Sequence, residues 1–139
     1  GGLEAPEVAA LGAAGDALGM AFQLVDDCLD LAGDPELTGK DMLTDLREGK
    51  MTWPLILANE HDPTIGVLVR EALAQEGTVD PETARVVLAR IADTGAVAAT
   101  RVYATRQAEE ARTHLRKLPN SRSRRAIEAV IQSIIHRTK

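Results

Sequence analysis

The chain of 139 residues has few aromatic side chains and a single cysteine. Phe22, Trp53 and Tyr103 are its aromatic residues, so its interior must be built from aliphatic side chains. The lone cysteine, Cys28, forms neither an intramolecular disulfide nor a thiolate zinc cluster. This excludes the disulfide-stapled secreted scaffolds, and we expect a cytoplasmic location.

Long uninterrupted apolar runs are also missing. A helix that crosses a bilayer needs about 18 or more consecutive apolar residues, and a signal peptide needs a basic segment ahead of an apolar one. The sequence has neither pattern. We therefore expect no integral membrane span and no signal peptide.

Charge is unevenly distributed along the chain, whose net charge is −5. Residues 1–50 contain 11 acidic and 3 basic side chains, whereas residues 101–139 contain 10 basic and 3 acidic ones. The basic segment lacks the interleaved aromatic residues that stack on nucleic-acid bases, and glutamates interrupt it. We interpret it as a solvated helix face and expect no nucleic-acid partner.

Composition and helix-boundary residues predict an all-α protein. Alanine, leucine, glutamate and arginine are common, and these residues favour helix over strand. Asp80 and Pro81 form a strong start signal, as N-cap and first helical residue. About six helices in an antiparallel bundle are predicted, over residues 3–32, from 54 onward, and over 63–73, 81–93, 96–118 and 123–137. Residues 33–50 are predicted to form a polar loop.

An acidic wedge occurs near the end of the first predicted helix. At about 100° per residue, with Asp26 as zero, Asp30 falls near 40°, Gln23 near 60° and Asp27 near 100°. Apolar residues are predicted to fill the rest of the helix surface: Ala21, Phe22, Leu24, Val25, Cys28, Leu29 and Leu31. The wedge therefore combines three carboxylates and an amide on an otherwise apolar helix.

The clustered carboxylates favour a bound cation over a bare acidic surface. Like charges at i and i+4 repel by a few tenths of a kcal/mol, and carboxylates near a helix C-terminus oppose its dipole by about 0.3–1 kcal/mol each. Mg²⁺ binds one or two carboxylates and completes its shell with water and phosphate oxygens. Lys40, Arg47 and Lys50 follow in the sequence, and both lysines come after a glycine, which permits close backbone approach or a positive φ. Carboxylates, Mg²⁺ and lysines together suit a diphosphate, whereas the structural alternative is an exposed acidic helix end.

Several spaced elements occur in order between residues 19 and 57. They are Phe-Gln-Leu-Val-Asp-Asp-Cys-Leu-Asp at 22–30, Gly-Asp at 33–34, Thr-Gly-Lys at 38–40 and Asp-Leu-Arg-Glu-Gly-Lys-Met-Thr-Trp-Pro-Leu-Ile at 45–56. In this order they resemble the second aspartate-rich motif and following loop of the trans-isoprenyl diphosphate synthases, the polyprenyl synthetase family. Residues 58–139 are compatible with the C-terminal helices of that family. The resemblance implies that residues 1–139 form the C-terminal segment of a single polyprenyl synthetase domain with the isoprenoid synthase fold.

The resemblance also implies a chemistry. Members of this family are prenyltransferases of isoprenoid biosynthesis, which condense isopentenyl diphosphate head to tail with an allylic diphosphate. By similarity, three residues would hold Mg²⁺ on the allylic diphosphate: Asp26, which we expect to be a direct ligand, with Asp27 and Asp30. Four would contact substrate: Lys40 and Lys50 at the diphosphate, and Phe22 and Gln23 along the substrate site. We assign no residue as general acid or base, and no chemistry to Asp45 or Arg47.

The sequence departs from the family in length and in motif number. The family has two aspartate-rich motifs on facing helices, whereas a single Asp-Asp-x-x-Asp occurs here. We therefore interpret the chain as a C-terminal fragment that is inactive alone. We expect its first helix to expose apolar surface that the missing N-terminal half would cover, and the family implies a homodimer.

Two alternative functions are compatible with the sequence. One is a non-catalytic helical subunit that regulates a prenyl diphosphate synthase, although the retained aspartates and lysines favour an active enzyme. The other is a fragment of a class I terpene cyclase, which also uses an aspartate-rich helix and Mg²⁺. A cyclase is expected to line its cavity with aromatic residues that stabilise cations, and this chain has few.

Overall fold

A computed structural model describes residues 2–138, and over this range it contains seven α-helices and no strand. The all-α prediction is therefore confirmed. The helices are α1 (Ala5–Leu29), α2 (Pro35–Arg47), α3 (Trp53–His61), α4 (Thr64–Ala74), α5 (Pro81–Asp93), α6 (Ala96–Leu115) and α7 (Arg122–Arg137).

Of the described residues, 2–25 and 101–138 form one compact unit. Its core is aliphatic, as predicted, and combines small alanines from α1 and α6 with larger side chains from α7. Small residues at helical spacing allow helix axes to approach closely. The buried residues include Ala17, Ala21, Leu24, Ala104, Ala108, Ala111, Leu115, Ile131, Ile134 and Ile135.

The second compact unit comprises Asp26–Thr100 and contains Asp26, Asp27 and Asp30 together with the whole of α2 to α5. Its buried core draws on α2 to α5 and the start of α6, with Leu43, Leu55, Ile65, Val87 and Ile91 among the most buried side chains. These aliphatic residues hold α2 and α3 in place. The segment from Asp26 to Lys50 is therefore anchored by the packing of α2 in this core.

The predicted polar loop at residues 33–50 was wrong, because most of this segment forms α2. Asp34 caps the helix, since its Oδ1 accepts a hydrogen bond from the Glu36 amide at 2.9 Å, and Pro35 follows at the first helical position. This is the same start signal that correctly predicted α5 at Asp80 and Pro81. Thr38, Gly39, Met42 and Leu43 are buried at helical spacing, so packing stabilises a helix that its polar composition obscured.

Helix α1 is more exposed than a core helix. Val8, Leu11 and Met20 are between 39 % and 56 % exposed, which confirms the expected exposure of apolar surface on this helix. Among residues 2–138, α1 is also the one helix long and apolar enough to cross a membrane by length and composition. Core helices and signal sequences meet the same criterion, so this property alone assigns no span.

Candidate functional site

The end of α1 and the segment after it bring acidic residues to one side of the second unit. The chain leaves α1 after Leu29, turns at Gly33 with a φ of +109°, and enters α2 at its Asp34 cap. A positive φ of this kind favours glycine. The turn places the last carboxylates of α1 and the carboxylates of α2 around one cavity.

That cavity has a volume of about 330 Å³ and an acidic lining. Its charged residues are Asp27, Asp30, Asp41 and Asp45 against one lysine, Lys50. Four carboxylates and one ammonium group leave an excess of negative charge when all are ionised. A diphosphate would be repelled from this cavity unless cations accompanied it, whereas a divalent cation would be attracted.

Asp27 is the buried member of the acidic group, with 7 % of its surface exposed. Its Oδ2 accepts a long hydrogen bond of 3.5 Å from the backbone amide of Trp53. Trp53 begins α3, so this contact links the end of α1 to the start of α3. It directs one oxygen of the Asp27 carboxylate toward the α3 backbone.

Asp30 lies in an environment that disfavours its charge. Burial raises the pKa of the Asp30 carboxyl above its ordinary value of 3.8, and the carboxylates of Asp27, Asp26 and Asp45 raise it further. Like charges and loss of solvent both destabilise an ionised acid. A cation bound beside Asp30 would relieve the repulsion.

Lys50 also lines the cavity and lies three residues after the end of α2. Its Nζ is 3.4 Å from Glu48 Oε2 and 3.7 Å from Asp45 Oδ1. The hydrogen bond to Glu48 and then the charge of Asp45 raise the pKa of the Lys50 ammonium group above 10.5. Gly49 adopts a φ of +84°, so the predicted positive φ before a lysine is confirmed here. The Lys50 side chain is 65 % exposed and is therefore free to exchange its carboxylate partners for a phosphate.

Gly39 serves packing within the fold. A Cβ at this position would lie 2.6 Å from the Ala84 carbonyl oxygen of α5, so the glycine permits a close approach of two helix backbones. The close neighbour is a helix of the same unit. Lys40 is half-buried in α2 and lies outside the residues that line the cavity.

The structure buries one aspartate of the wedge and exposes the other two. Asp26 and Asp30 are exposed and Asp27 is buried, while Leu29, which the helical projection groups with the apolar residues, is 45 % exposed. Leu29 lies three residues after Asp26, and residues at this spacing are neighbours on a helix surface. The buried Asp27 carboxylate accepts a hydrogen bond from the Trp53 amide, a partner that helical periodicity does not show.

Phe22 and Gln23 belong to the first unit. Phe22 is 41 % exposed, and Gln23 is exposed. The structure does not test their predicted role at a substrate site, which stays a prediction.

The donors at the cavity suit a hard cation but do not form a complete metal cage. Within residues 2–138, no group of three or more histidine, cysteine, aspartate or glutamate side chains has a metal-binding arrangement. Mg²⁺ needs few protein ligands because water and phosphate oxygens complete its shell. Asp27 and Asp30, both at the cavity, fit that requirement, whereas Asp26 is exposed and is not among the residues that line the cavity.

Asp41 was missed at the sequence level, and Asp45 was assigned no chemistry. Both line the cavity, four residues apart on α2. Their spacing repeats that of Asp26 and Asp30, and two carboxylates at i and i+4 share a helix face. The signal was present, but a loop prediction for residues 33–50 gave the two residues no common face.

Comparisons with known proteins find prenyl transferases both by sequence and by structure. The family model described as polyprenyl synthetase matches residues 1–91. A prenyl transferase of Synechocystis is 32 % identical over 123 residues, covering 88 % of this chain and 36 % of that protein. The chain spans about a third of the length of the curated relatives that it matches.

Solved structures agree with the sequence matches. A decaprenyl diphosphate synthase from Rhodobacter capsulatus superposes with a TM-score of 0.78 at 31 % identity, covering 100 % of this chain and 42 % of that one. A geranylgeranyl pyrophosphate synthase from Corynebacterium glutamicum, complexed with calcium and isoprenyl diphosphate, gives a TM-score of 0.76 at 31 % identity and covers 99 % and 42 %. The predicted C-terminal part of the isoprenoid synthase fold is therefore confirmed.

Proposed function

The chain belongs to the polyprenyl synthetase family, and from this membership we propose that it supplies the second aspartate-rich wall of a trans-prenyltransferase. The reaction breaks the C–O bond of an allylic diphosphate, and the diphosphate leaves with the electron pair. The alkene of isopentenyl diphosphate attacks the allylic carbon, and loss of a proton restores a double bond. The protein mainly has to stabilise the leaving diphosphate and exclude water.

The observation that carries this proposal is the acidic cavity. Asp27 and Asp30 line one side of it, Asp41 and Asp45 another, and Lys50 provides its positive charge. This arrangement has too much negative charge to bind a free diphosphate and suits a diphosphate complexed with divalent cations. The calcium and isoprenyl diphosphate complex of the Corynebacterium relative supports the same chemistry.

We assign Mg²⁺ to this site, with Asp26, Asp27 and Asp30 as the residues that would hold it. Bound there, Mg²⁺ would neutralise the charge that develops on the departing diphosphate. The Trp53 amide keeps the Asp27 carboxylate oriented, while Lys50 exchanges Glu48 and Asp45 for phosphate oxygens.

The remaining assignments follow from family membership. Lys40 is assigned to the diphosphate, and Phe22 and Gln23 to the substrate site. The partners proposed are the allylic and isopentenyl diphosphates, the N-terminal half of the same protein, and a second copy in a homodimer. The chain alone is proposed to be inactive because the facing aspartate motif is absent from its sequence. The cytoplasmic location stays a prediction.

A chimeric enzyme tests the function. The matching part of the Rhodobacter capsulatus decaprenyl diphosphate synthase is replaced by this chain, and the product is assayed with labelled isopentenyl diphosphate, an allylic diphosphate and Mg²⁺. We expect chain-elongated product from the chimera and none from the chain alone. Asp26→Asn in the chimera should lower the rate about 10²-fold or more, because a ligand to the leaving-group cation is lost.

Asp93→Asn is the matched control for this substitution. Asp93 is an exposed aspartate at the end of α5, so the charge change is identical but falls on a residue that is not one of the three proposed Mg²⁺ ligands. The chimera must unfold cooperatively on heating to count as folded. A folded chimera that makes no product, beside an active parent enzyme, would refute the proposal and favour the regulatory-subunit alternative.

A further inference from the structure

The segment after Tyr103 has an excess of positive charge that the fold leaves uncompensated. Its three carboxylates are each already engaged: Glu109 with Arg112 at 3.2 Å, Glu128 with Arg124 at 3.2 Å, and Glu110 with His114 at 3.7 Å. Each has a basic or imidazole partner on its own helix. Among residues 104–138, no other basic side chain forms an ion pair with a carboxylate.

Four of these cations are grouped at the connection between α6 and α7, which we call the basic turn: Arg116, Lys117, Arg122 and Arg125. All four are exposed. Arg125 bonds the neutral Asn120 side chain at 3.1 Å, and within residues 2–138 none of the four has a carboxylate within 4.0 Å. Residues 111–127 contain no acidic residue.

Helix α7 continues from the basic turn with an exposed stripe that also lacks acids. At about 100° per residue, these residues fall within roughly a 100° arc: Arg122, Ala126, Ala129, Val130, Ser133 and Arg137. All are exposed, and Val130 is 42 % exposed. Glu128 lies on another side of the helix, against Arg124. The stripe has a basic residue at each end and small or apolar side chains between them.

We propose that the basic turn and the α7 stripe form a peripheral docking surface for an anionic lipid bilayer. Basic side chains flanking a shallow apolar strip fit phospholipid headgroups and the interface beneath them. Nucleic acid fits less well, because residues 104–139 contain no Phe, Trp or Tyr side chain for base stacking. The surface lies in the first unit and shares no residue with the acidic cavity, so it stands independently of the proposed function.

The net charge of the chain makes this proposal sharply testable. At −5 overall, the protein as a whole is repelled by an anionic surface, so any binding must be local. Cosedimentation of the chain with phosphatidylcholine vesicles, with and without phosphatidylserine, measures it. We expect binding to the phosphatidylserine vesicles alone, and weaker binding as salt is raised.

Matched double variants locate the contact. Arg116→Gln with Lys117→Gln should weaken vesicle binding about 25-fold, at roughly fivefold for each basic side chain near the surface. Arg101→Gln with Arg106→Gln changes the net charge equally outside the basic turn and should weaken binding far less, because this attraction falls off with distance from the membrane. Both pairs are replaced by polar residues, and thermal unfolding checks that each variant folds.

Four results would overturn the proposal. They are equal binding to neutral and anionic vesicles, binding to neither, equal losses in the two double variants, and tighter binding to a single-stranded oligonucleotide than to the anionic vesicles. Equal binding to both vesicles would instead indicate the exposed apolar side chains of α1. Tighter oligonucleotide binding would assign the surface to nucleic acid.

Discussion

The contact between α2 and α5 leaves no room for a side chain at Gly39. A Cβ there would lie 2.6 Å from the Ala84 carbonyl oxygen and 3.0 Å from the Ala84 Cβ. The carbonyl belongs to the backbone of α5 and cannot rotate away as a flexible side chain would. Gly39→Ala must therefore push α2 and α5 apart, and we predict that it destabilises the second unit.

The expected change in the free energy of unfolding of Gly39→Ala is the sum of two opposing effects. Alanine gains about 1 kcal/mol over glycine in a helix, whereas overpacking typically costs about 1–3 kcal/mol. A clash with backbone belongs at the upper end of that range, which leaves a net loss of about 1–2 kcal/mol. For a chain of this length this corresponds to a fall in Tm of roughly 3–10 °C.

Thermal and urea unfolding followed by circular dichroism measure the effect. Gly15→Ala is the control: Gly15 lies in α1 with no atom within 4 Å of a built Cβ, so the same substitution should raise stability by up to about 1 kcal/mol. We therefore expect Gly39→Ala to lower the free energy of unfolding and Gly15→Ala to raise it. If Gly39→Ala were as stable as the unchanged chain, the proposed α2–α5 contact would be wrong.

Two further predictions concern charge. Asp30→Asn should raise the free energy of unfolding at pH 7 by a few tenths of a kcal/mol, the usual scale of like-charge repulsion in a helix. The raised pKa of Asp30 means that its ionised form costs stability, so this gain should disappear in melts below pH 3.8, where the acid is neutral. Asp62→Ala should lower Tm at pH 7, because Asp62 accepts hydrogen bonds from Thr64 and from Arg90. Those contacts lower the pKa of Asp62 below its ordinary value of 3.8. The stability that Asp62 contributes is therefore complete above pH 3.8 and is lost as pH falls through the lowered pKa. An equal Tm difference at pH 7 and pH 2 would contradict this prediction.

Helix type and several boundaries could be predicted from local signals. Asp80 and Pro81 fixed the start of α5, and its end at Asp93 was predicted correctly. The equivalent signal at Asp34 and Pro35 was overlooked because the following residues are polar. The helical conformation of α2 is stabilised by burial of Gly39 and Leu43 against other helices. This is a tertiary effect, which the sequence of the segment alone does not show.

The site could be predicted in composition but not in arrangement. The three aspartates of the α1 motif and Lys50 were identified from spacing, and Asp27, Asp30 and Lys50 do line one cavity. Asp27 is buried and its partner, the Trp53 amide, lies 26 residues later, while the place of Asp41 at the cavity depends on the fold of α2. Contacts between distant residues of this kind have no local sequence signal.

The central claim, that the acidic cavity holds a divalent cation with a diphosphate, is tested most directly through Trp53. It is the one tryptophan in the chain, and its backbone amide bonds Asp27, so its fluorescence should report cation binding. Mg²⁺ is titrated into the chain with and without inorganic pyrophosphate, and into the Asp27→Asn and Asp93→Asn variants. We predict a saturable emission change that is strongest with Mg²⁺ and pyrophosphate together, is lost in Asp27→Asn and is kept in Asp93→Asn. An unchanged emission, or equal responses in the two variants, would contradict the claim.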